Sequence, residues 1–131
     1  MMDPPNPAAP VRPILVIDDE PGIREVIRFI LESHGHAVLV AKDGAEARRV
    51  LAESKPRAIL LDVMLPGEDG LTFCRAIKAD PRYARIPVLV ITGRARRGDL
   101  DRARAAGAED LTIKPFDKRA VLAWLAARAA A

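Results

Sequence analysis

The sequence predicts an α/β fold, five strands alternating with five helices, (βα)5, arranged as a doubly wound parallel sheet with helices on both faces. Three observations lead there. Ile14-Leu15-Val16-Ile17, Ala58-Ile59-Leu60-Leu61 and Pro87-Val88-Leu89-Val90-Ile91 are short continuous apolar runs, the mark of strands covered on both faces. The segments between them place apolar residues at helical spacing. Right-handed crossovers between such strands permit little else than a parallel sheet sandwiched by helices. At 131 residues, half of them apolar and 30% charged, the chain has the size and balance of one globular unit.

Pro4, Pro5, Pro7, Pro10 and Pro13 remove backbone donors from the start of the chain, so residues 1–12 read as a disordered Pro-rich tail and the folded unit as residues 13–129. The first strand, Ile14 to Ile17, ends at Asp18-Asp19-Glu20-Pro21-Gly22, and Pro21 suits the first turn of a helix. Ile23, Val26, Ile27, Ile30 and Leu31 then form one apolar stripe, and Gly35 stops that helix. His36 to Ala41 reads as the second strand. Asp43-Gly44 opens an Ala-rich helix carrying Val50 and Leu51, which Lys55-Pro56 terminates. Ala58 to Leu61 is the third strand, ended by Asp62. The loop Pro66-Gly67-Glu68-Asp69-Gly70 leads to a helix with Leu71, Cys74 and Ile77 inward, closed by Asp80-Pro81. Pro87 to Ile91 is the fourth strand, followed by Thr92-Gly93 and a helix from Arg96 to Ala106. Leu111-Thr112-Ile113 is the last strand and runs into Lys114-Pro115; Asp117 caps a final helix carrying Val121, Leu122, Trp124 and Leu125.

Composition excludes several functions. No apolar run approaches the ~20 residues of a membrane-spanning helix, and the first residues lack the charged start and apolar stretch of a signal peptide, so a cytoplasmic protein is expected. One cysteine, Cys74, closes no intrachain disulfide, and His34 and His36 beside it make no soft-metal cluster. The net charge of +3 is modest, and one Trp, one Tyr and three Phe offer little for base stacking, so nucleic acid is not an expected direct partner. The charge is unevenly spread: residues 14–70 hold 7 basic and 11 acidic side chains, residues 75–104 hold 9 basic and 3 acidic.

In a parallel α/β sheet, ligands bind beyond the carboxyl ends of the strands, where strand order reverses. The residues placed there are Asp18 and Asp19 after strand one, Asp62 after strand three, Thr92 after strand four and Lys114 after strand five. Asp before a helix is ordinarily an N-cap, but a third carboxylate on the same dry rim repels the first two unless a cation intervenes. Hard oxygen donors suit Mg2+. With that ion and Lys114 the rim is formally neutral and no longer repels a phosphoryl group. Thr92 adds a hydroxyl able to donate to a phosphoryl oxygen. Carboxylate nucleophile, metal, lysine and hydroxyl are the parts of an aspartyl-phosphate reaction.

ILVIDDE, LLDVMLPGEDG, VLVITG and AGAEDLTIKPF stand in the order and spacing of the receiver domains of bacterial two-component signalling. The chain resembles that family, specifically its stand-alone, chemotaxis-receiver-like members, from about Ile14 to about Arg128. The resemblance implies a flavodoxin-like sheet of strand order 2-1-3-4-5; from the length of the chain, no output domain is expected. It implies that Asp62 accepts phosphoryl from the phosphohistidine of a histidine kinase or phosphotransfer protein. Asp19, Asp62 and the Met64 backbone carbonyl would ligate Mg2+, with Asp18 acting through metal-bound water. Thr92 and the Gly93 backbone N–H would hold the phosphoryl group, Lys114 would pair with it, and the Lys114-Pro115 bond would be cis. The protein would act by binding a downstream partner, as a monomer or a phosphorylation-dependent dimer, and not as an enzyme on an external substrate.

One position departs from the family. Where receivers place an aromatic residue whose inward swing accompanies the threonine shift, this chain has Leu111, and an aliphatic side chain cannot reproduce that swing. Leu111 is therefore the second switch position beside Thr92, and it favours an alternative in which the chain is a constitutive scaffold. A Mg2+-dependent phosphohydrolase is disfavoured, because no acidic residue stands two positions after Asp62 as a general acid. Met64 and Arg94, flanking the site, are not water activators, so a long-lived phosphoryl group is expected. Cys74 and Trp124 read as core. Arg94, Arg96, Arg97, Arg102 and Arg104 read either as a solvated helix face paired with Asp99 and Asp101 or as a docking surface.

Overall fold

The computed structural model describes residues 12–93, 97–114 and 117–129. Five parallel strands, β1 (Ile14–Ile17), β2 (Val38–Ala41), β3 (Ala58–Asp62), β4 (Val88–Thr92) and β5 (Asp110–Ile113), alternate with five helices: α1 (Pro21–Ser33), α2 (Gly44–Ser54), α3 (Gly70–Ala79), α4 (Asp99–Ala105) and α5 (Lys118–Ala129). The strand order is β2-β1-β3-β4-β5. This is the doubly wound, flavodoxin-like topology the sequence implies.

The strands' alternation explains the two layers. Leu15, Ile17, Ile59, Leu61, Val88 and Val90 face one side and pack with Leu51 of α2, Phe73, Cys74 and Ile77 of α3 and Ala103 of α4. Ile14, Val16, Leu60, Leu89 and Ile91 face the other side and pack with Ile27 and Leu31 of α1 and Val121, Trp124 and Leu125 of α5. A strand apolar on both faces thus earns helices on both faces. Cys74 and Trp124 are core residues. Local chemistry sets the ends: Pro21 starts α1, Asp43 caps α2 by accepting from Glu46 N at 2.8 Å, and Asp117 caps α5 by accepting from Ala120 N at 3.1 Å. Gly35, at φ +86°, ends α1, and Lys55, at φ +42°, ends α2 in the left-handed conformation.

The structure differs from the sequence expectation in four places. The second strand begins at Val38, not His36, because His36 N is used by Leu31 O in closing α1. The fourth helix begins at Asp99, after Gly98 turns the chain at φ +86°. Residues Met64–Leu65 and Glu68–Asp69 form a two-stranded antiparallel hairpin where a plain loop was expected. The α1 stripe is narrower than its periodicity suggests, with Val26 exposed beside an exposed Phe29. Residues 1–11 of the expected 1–12 tail, the cis bond at Pro115, and Arg94 and Arg96 lie outside the described residues.

Candidate functional site

Strand register builds the site. Ile17 pairs with Leu61, so Asp18 and Asp62 come off neighbouring central strands side by side. Asp62 pairs with Ile91 and Thr92 with Ile113, so Thr92 and Lys114 follow one step further along the same edge. The Lys114 N–H donates to Thr92 O at 2.7 Å and fixes the last step.

Three charged side chains meet there. Lys114 Nζ lies 3.1 Å from Asp18 Oδ2 and 3.1 Å from Asp62 Oδ2, bridging two nearly buried carboxylates. Asp18 is 2% exposed and Asp62 4% exposed, so both depend on these partners and not on bulk water. Their other oxygens take backbone donors: Glu20 N to Asp18 Oδ1 at 2.9 Å, and Met64 N to Asp62 Oδ1 at 3.1 Å. Arg24 Nη1 donates to Asp18 O at 2.7 Å and pins the turn into α1. Burial pushes the Asp62 carboxyl above the ordinary carboxylate range, with the Asp18 charge adding to it, against the opposing pull of the Met64 N–H and Lys114. Burial draws the Lys114 ammonium down, but its bonds to Asp18 and Asp62 outweigh that and hold it above its ordinary value.

The acidic rim has a member the sequence reading missed. Asp18, Asp19 and Glu20 each bring one carboxylate oxygen within 4.8 Å of the others, and Glu20 Oε1 also lies 3.7 Å from Lys114 Nζ. In the sequence Glu20 stands only in the run that ends the first strand; its place in the acidic stretch Asp18-Asp19-Glu20 is the available signal. Asp62 stands outside this group, with Met64 N on one oxygen and Lys114 on the other, just as Asp18 within it has Glu20 N on one oxygen and Lys114 on the other. A cluster of hard carboxylate oxygens facing a lysine is a donor set that fits Mg2+.

Thr92 is buried at 7% exposure and Gly93 is exposed beside it. Met64 is 74% exposed, so its side chain leaves the site while its amide serves Asp62. Leu111 is partly buried and lines, with Val63, Leu71, Thr92 and Arg102, a cavity of about 880 Å³ next to the rim. Arg102 is ion-paired with Asp99, as the solvated-face reading expects. His34 and His36 are away from the rim, bonded to Ile30 O and to Arg57. Among the described residues, no helix is long and apolar enough to cross a membrane.

Comparison with known proteins gives the family and the fold. Residues 14–126 match the family model of the response regulator receiver domain. The chain is 39% identical over 110 residues to the DNA-binding dual master transcriptional regulator RpaA of a Synechocystis species, covering 84% of this chain and 46% of that protein. It is 39% identical over 116 residues to the phosphate regulon transcriptional regulatory protein PhoB of Escherichia coli, covering 88% of this chain and 51% of that one. The chain therefore spans about half the length of these curated relatives. Among solved structures, the chemotaxis protein CheY4 of Vibrio cholerae superposes with a TM-score of 0.83 at 27% identity, covering 90% of this chain and 98% of that one. The signal receiver domain of a histidine kinase from Syntrophus aciditrophicus gives 0.81 at 31% identity, covering 89% of each chain. With residues 14–126 matched by the family model and relatives 39% identical over more than four-fifths of its length, the chain belongs to the response regulator receiver domain family.

Proposed function

We propose that the protein is a phosphorylation-switched signalling module in which Asp62 accepts a phosphoryl group from a histidine kinase or phosphotransfer protein. The observation that carries this is Asp62 itself: a 4% exposed carboxylate at the end of a central strand, with Met64 N on one oxygen and Lys114 on the other. Such a group is oriented, shielded from water and held beside a fixed cation, which is what an acyl-phosphate-forming nucleophile requires.

In the proposed reaction an Asp62 oxygen attacks phosphorus in line as the N–P bond of the donor phosphohistidine breaks, and the electron pair leaves on the imidazole. Lys114 gives up its contact with Asp62 and pairs with the incoming phosphoryl oxygens. The Thr92 hydroxyl and the Gly93 N–H donate to them. Asp19, Asp62 and the Met64 carbonyl would hold Mg2+, with Asp18 acting through bound water, and the ion would neutralise the charge of the phosphoryl oxygens. The residues act on their own chain only, and the switched form then binds a downstream protein.

Acetyl phosphate with Mg2+ tests the reading. Intact-mass measurement should show one added phosphoryl group in the wild type and none in Asp62→Asn. Equal labelling of the variant would remove Asp62 as acceptor. Leu111 keeps the constitutive-scaffold reading open, and it would be favoured by a wild type that takes no phosphoryl group from acetyl phosphate or from any donor kinase.

A further inference from the structure

At the other end of the sheet, where the strands begin, a cavity of about 740 Å³ is lined by six cationic side chains: Arg12, Lys55, Arg57, Arg82, Arg85 and Arg128. They arrive from four separate segments, ahead of β1, between α2 and β3, between α3 and β4, and at the end of α5. Among the described residues Glu109 is the one carboxylate in the lining, and it is already engaged by Lys78 at 3.0 Å and by Val88 N at 2.7 Å.

Three of the six cations have local duties. Arg12 donates to Lys55 O at 3.1 Å and Pro56 O at 3.2 Å, tying off the end of α2. Arg82 pairs with Asp80 at 2.8 Å, and Arg128 lies over the Trp124 ring, 4.8 Å from its centroid.

Lys55, Arg57 and Arg85 have no such duties. Among the described residues, the Lys55 ammonium and the Arg85 guanidinium make no hydrogen bond or ion pair, and the Arg57 guanidinium bonds only His36 Nδ1. Burial, with the Arg57 and His34 charges adding to it, lowers the His36 pKa from its ordinary value, and an imidazole carries no negative charge in either protonation state, so it supplies no countercharge. Three uncompensated cations around a concave space focus a positive potential into it.

The volume lies within the range of small-ligand sites. Among the described residues no aromatic side chain lines the cavity, so they offer no stacking platform of the kind by which single-stranded nucleic acid is held. We propose that this cavity binds a small polyanion built of linked phosphate groups, with Lys55, Arg57 and Arg85 as its direct partners. The site is independent of the aspartate rim, from which the length of the sheet separates it.

The probes are inorganic tripolyphosphate and ATP, titrated into the full chain in EDTA at about 50 mM salt. Calorimetry and the emission of Trp124, the only tryptophan, read the binding; the Arg128 guanidinium over its ring also lines the cavity. One saturable site is expected. Arg57→Ser and Arg85→Ser should each weaken it about tenfold and the pair about a hundredfold, in line with charge-assisted bonds. Exposed Arg75→Ser, outside the lining, and Asp62→Asn should leave it within about twofold. Equal affinities would assign recognition to the phosphate chain alone, and a tighter ATP complex would assign it to a nucleotide. Four results would overturn the proposal: no saturable binding of either probe by the wild type up to about 1 mM, an equal loss in Arg75→Ser, a loss in Asp62→Asn, or tighter binding of a single-stranded oligonucleotide. The wild-type titration decides without any variant having to fold.

Discussion

Replacing Gly70 by alanine should damage both the fold and the site. Gly70 opens α3 directly behind the acceptor strand, and its N–H donates to Val63 O at 2.8 Å. A Cβ there would meet Asp62 O at 2.5 Å, Val63 O at 2.7 Å and Val63 Cα at 2.8 Å. All three are backbone atoms, so no side chain can swing aside. Ordinary contact begins near 3.4 Å, so β3 and α3 would have to part by roughly 0.9 Å in a close-packed region. Overpacking of this kind costs about 1–3 kcal/mol, which for a domain of this size lowers the melting temperature by roughly 4–12 °C. The shift would also draw the Met64 amide away from Asp62 Oδ1, so phosphoryl uptake should slow. Urea unfolding with acetyl phosphate labelling measures both effects. Gly22→Ala is the control: nothing lies within 4 Å of its Cβ, and alanine inside a helix should stabilise by about 0.5 kcal/mol. A Gly70→Ala protein within about 0.5 kcal/mol of the wild type would refute the steric argument.

Further expectations follow from the buried charges. The raised Asp62 carboxyl contributes stability that is present below the ordinary carboxylate value and lost as pH rises through its folded value, so Asp62→Asn should stabilise the metal-free protein more at pH 7 than at pH 3. An equal gain at both values, read by denaturant midpoint, would contradict it. Lys114→Met leaves Asp18 and Asp62 facing each other and should destabilise by about 2 kcal/mol at pH 7, with much of the loss recovered in Lys114→Met/Asp62→Asn; absence of recovery would show the two sites to be uncoupled. Millimolar Mg2+ should raise the melting temperature of the wild type by mass action and leave Asp19→Asn unmoved, and an equal rise in both would remove Asp19 as a ligand. The Cys74 thiol, buried and pushed up to about 11 chiefly by that burial, should react with thiol reagents only at the rate of unfolding; rapid labelling of the folded chain at pH 8 would show the packing around it to be open.

The central strands were legible in the sequence because burial on both faces writes itself as an unbroken apolar run, as in Ile14 to Ile17 and Ala58 to Leu61. The same strands carried the rim with them, since Asp18, Asp62, Thr92 and Lys114 each follow or end one. Glu20 was harder to read. Its contact with Lys114 crosses from the end of β1 to the end of β5 and has no periodicity to announce it. The Met64–Asp69 hairpin has arms of two residues, too short for alternation to show. Val26 shares the helical spacing of Ile27 and Leu31, yet the sheet covers only part of that stripe. The cationic cavity was split along the chain: its members run from Arg12 to Arg128, so a count by stretches of sequence divided what the start of the sheet brings together.

The two walls of the rim are not equally held. On one side Arg48 of α2 grips Glu68 with two bonds, at 3.0 and 2.9 Å, and lies over the Phe73 ring of α3, so hairpin, α2 and α3 are clamped as a block. On the other side α4 is seven residues long and buries only Ala103. A strain applied at Asp62 will therefore be relieved asymmetrically, the stiff flank serving as anvil and the short helix beyond Thr92 yielding first.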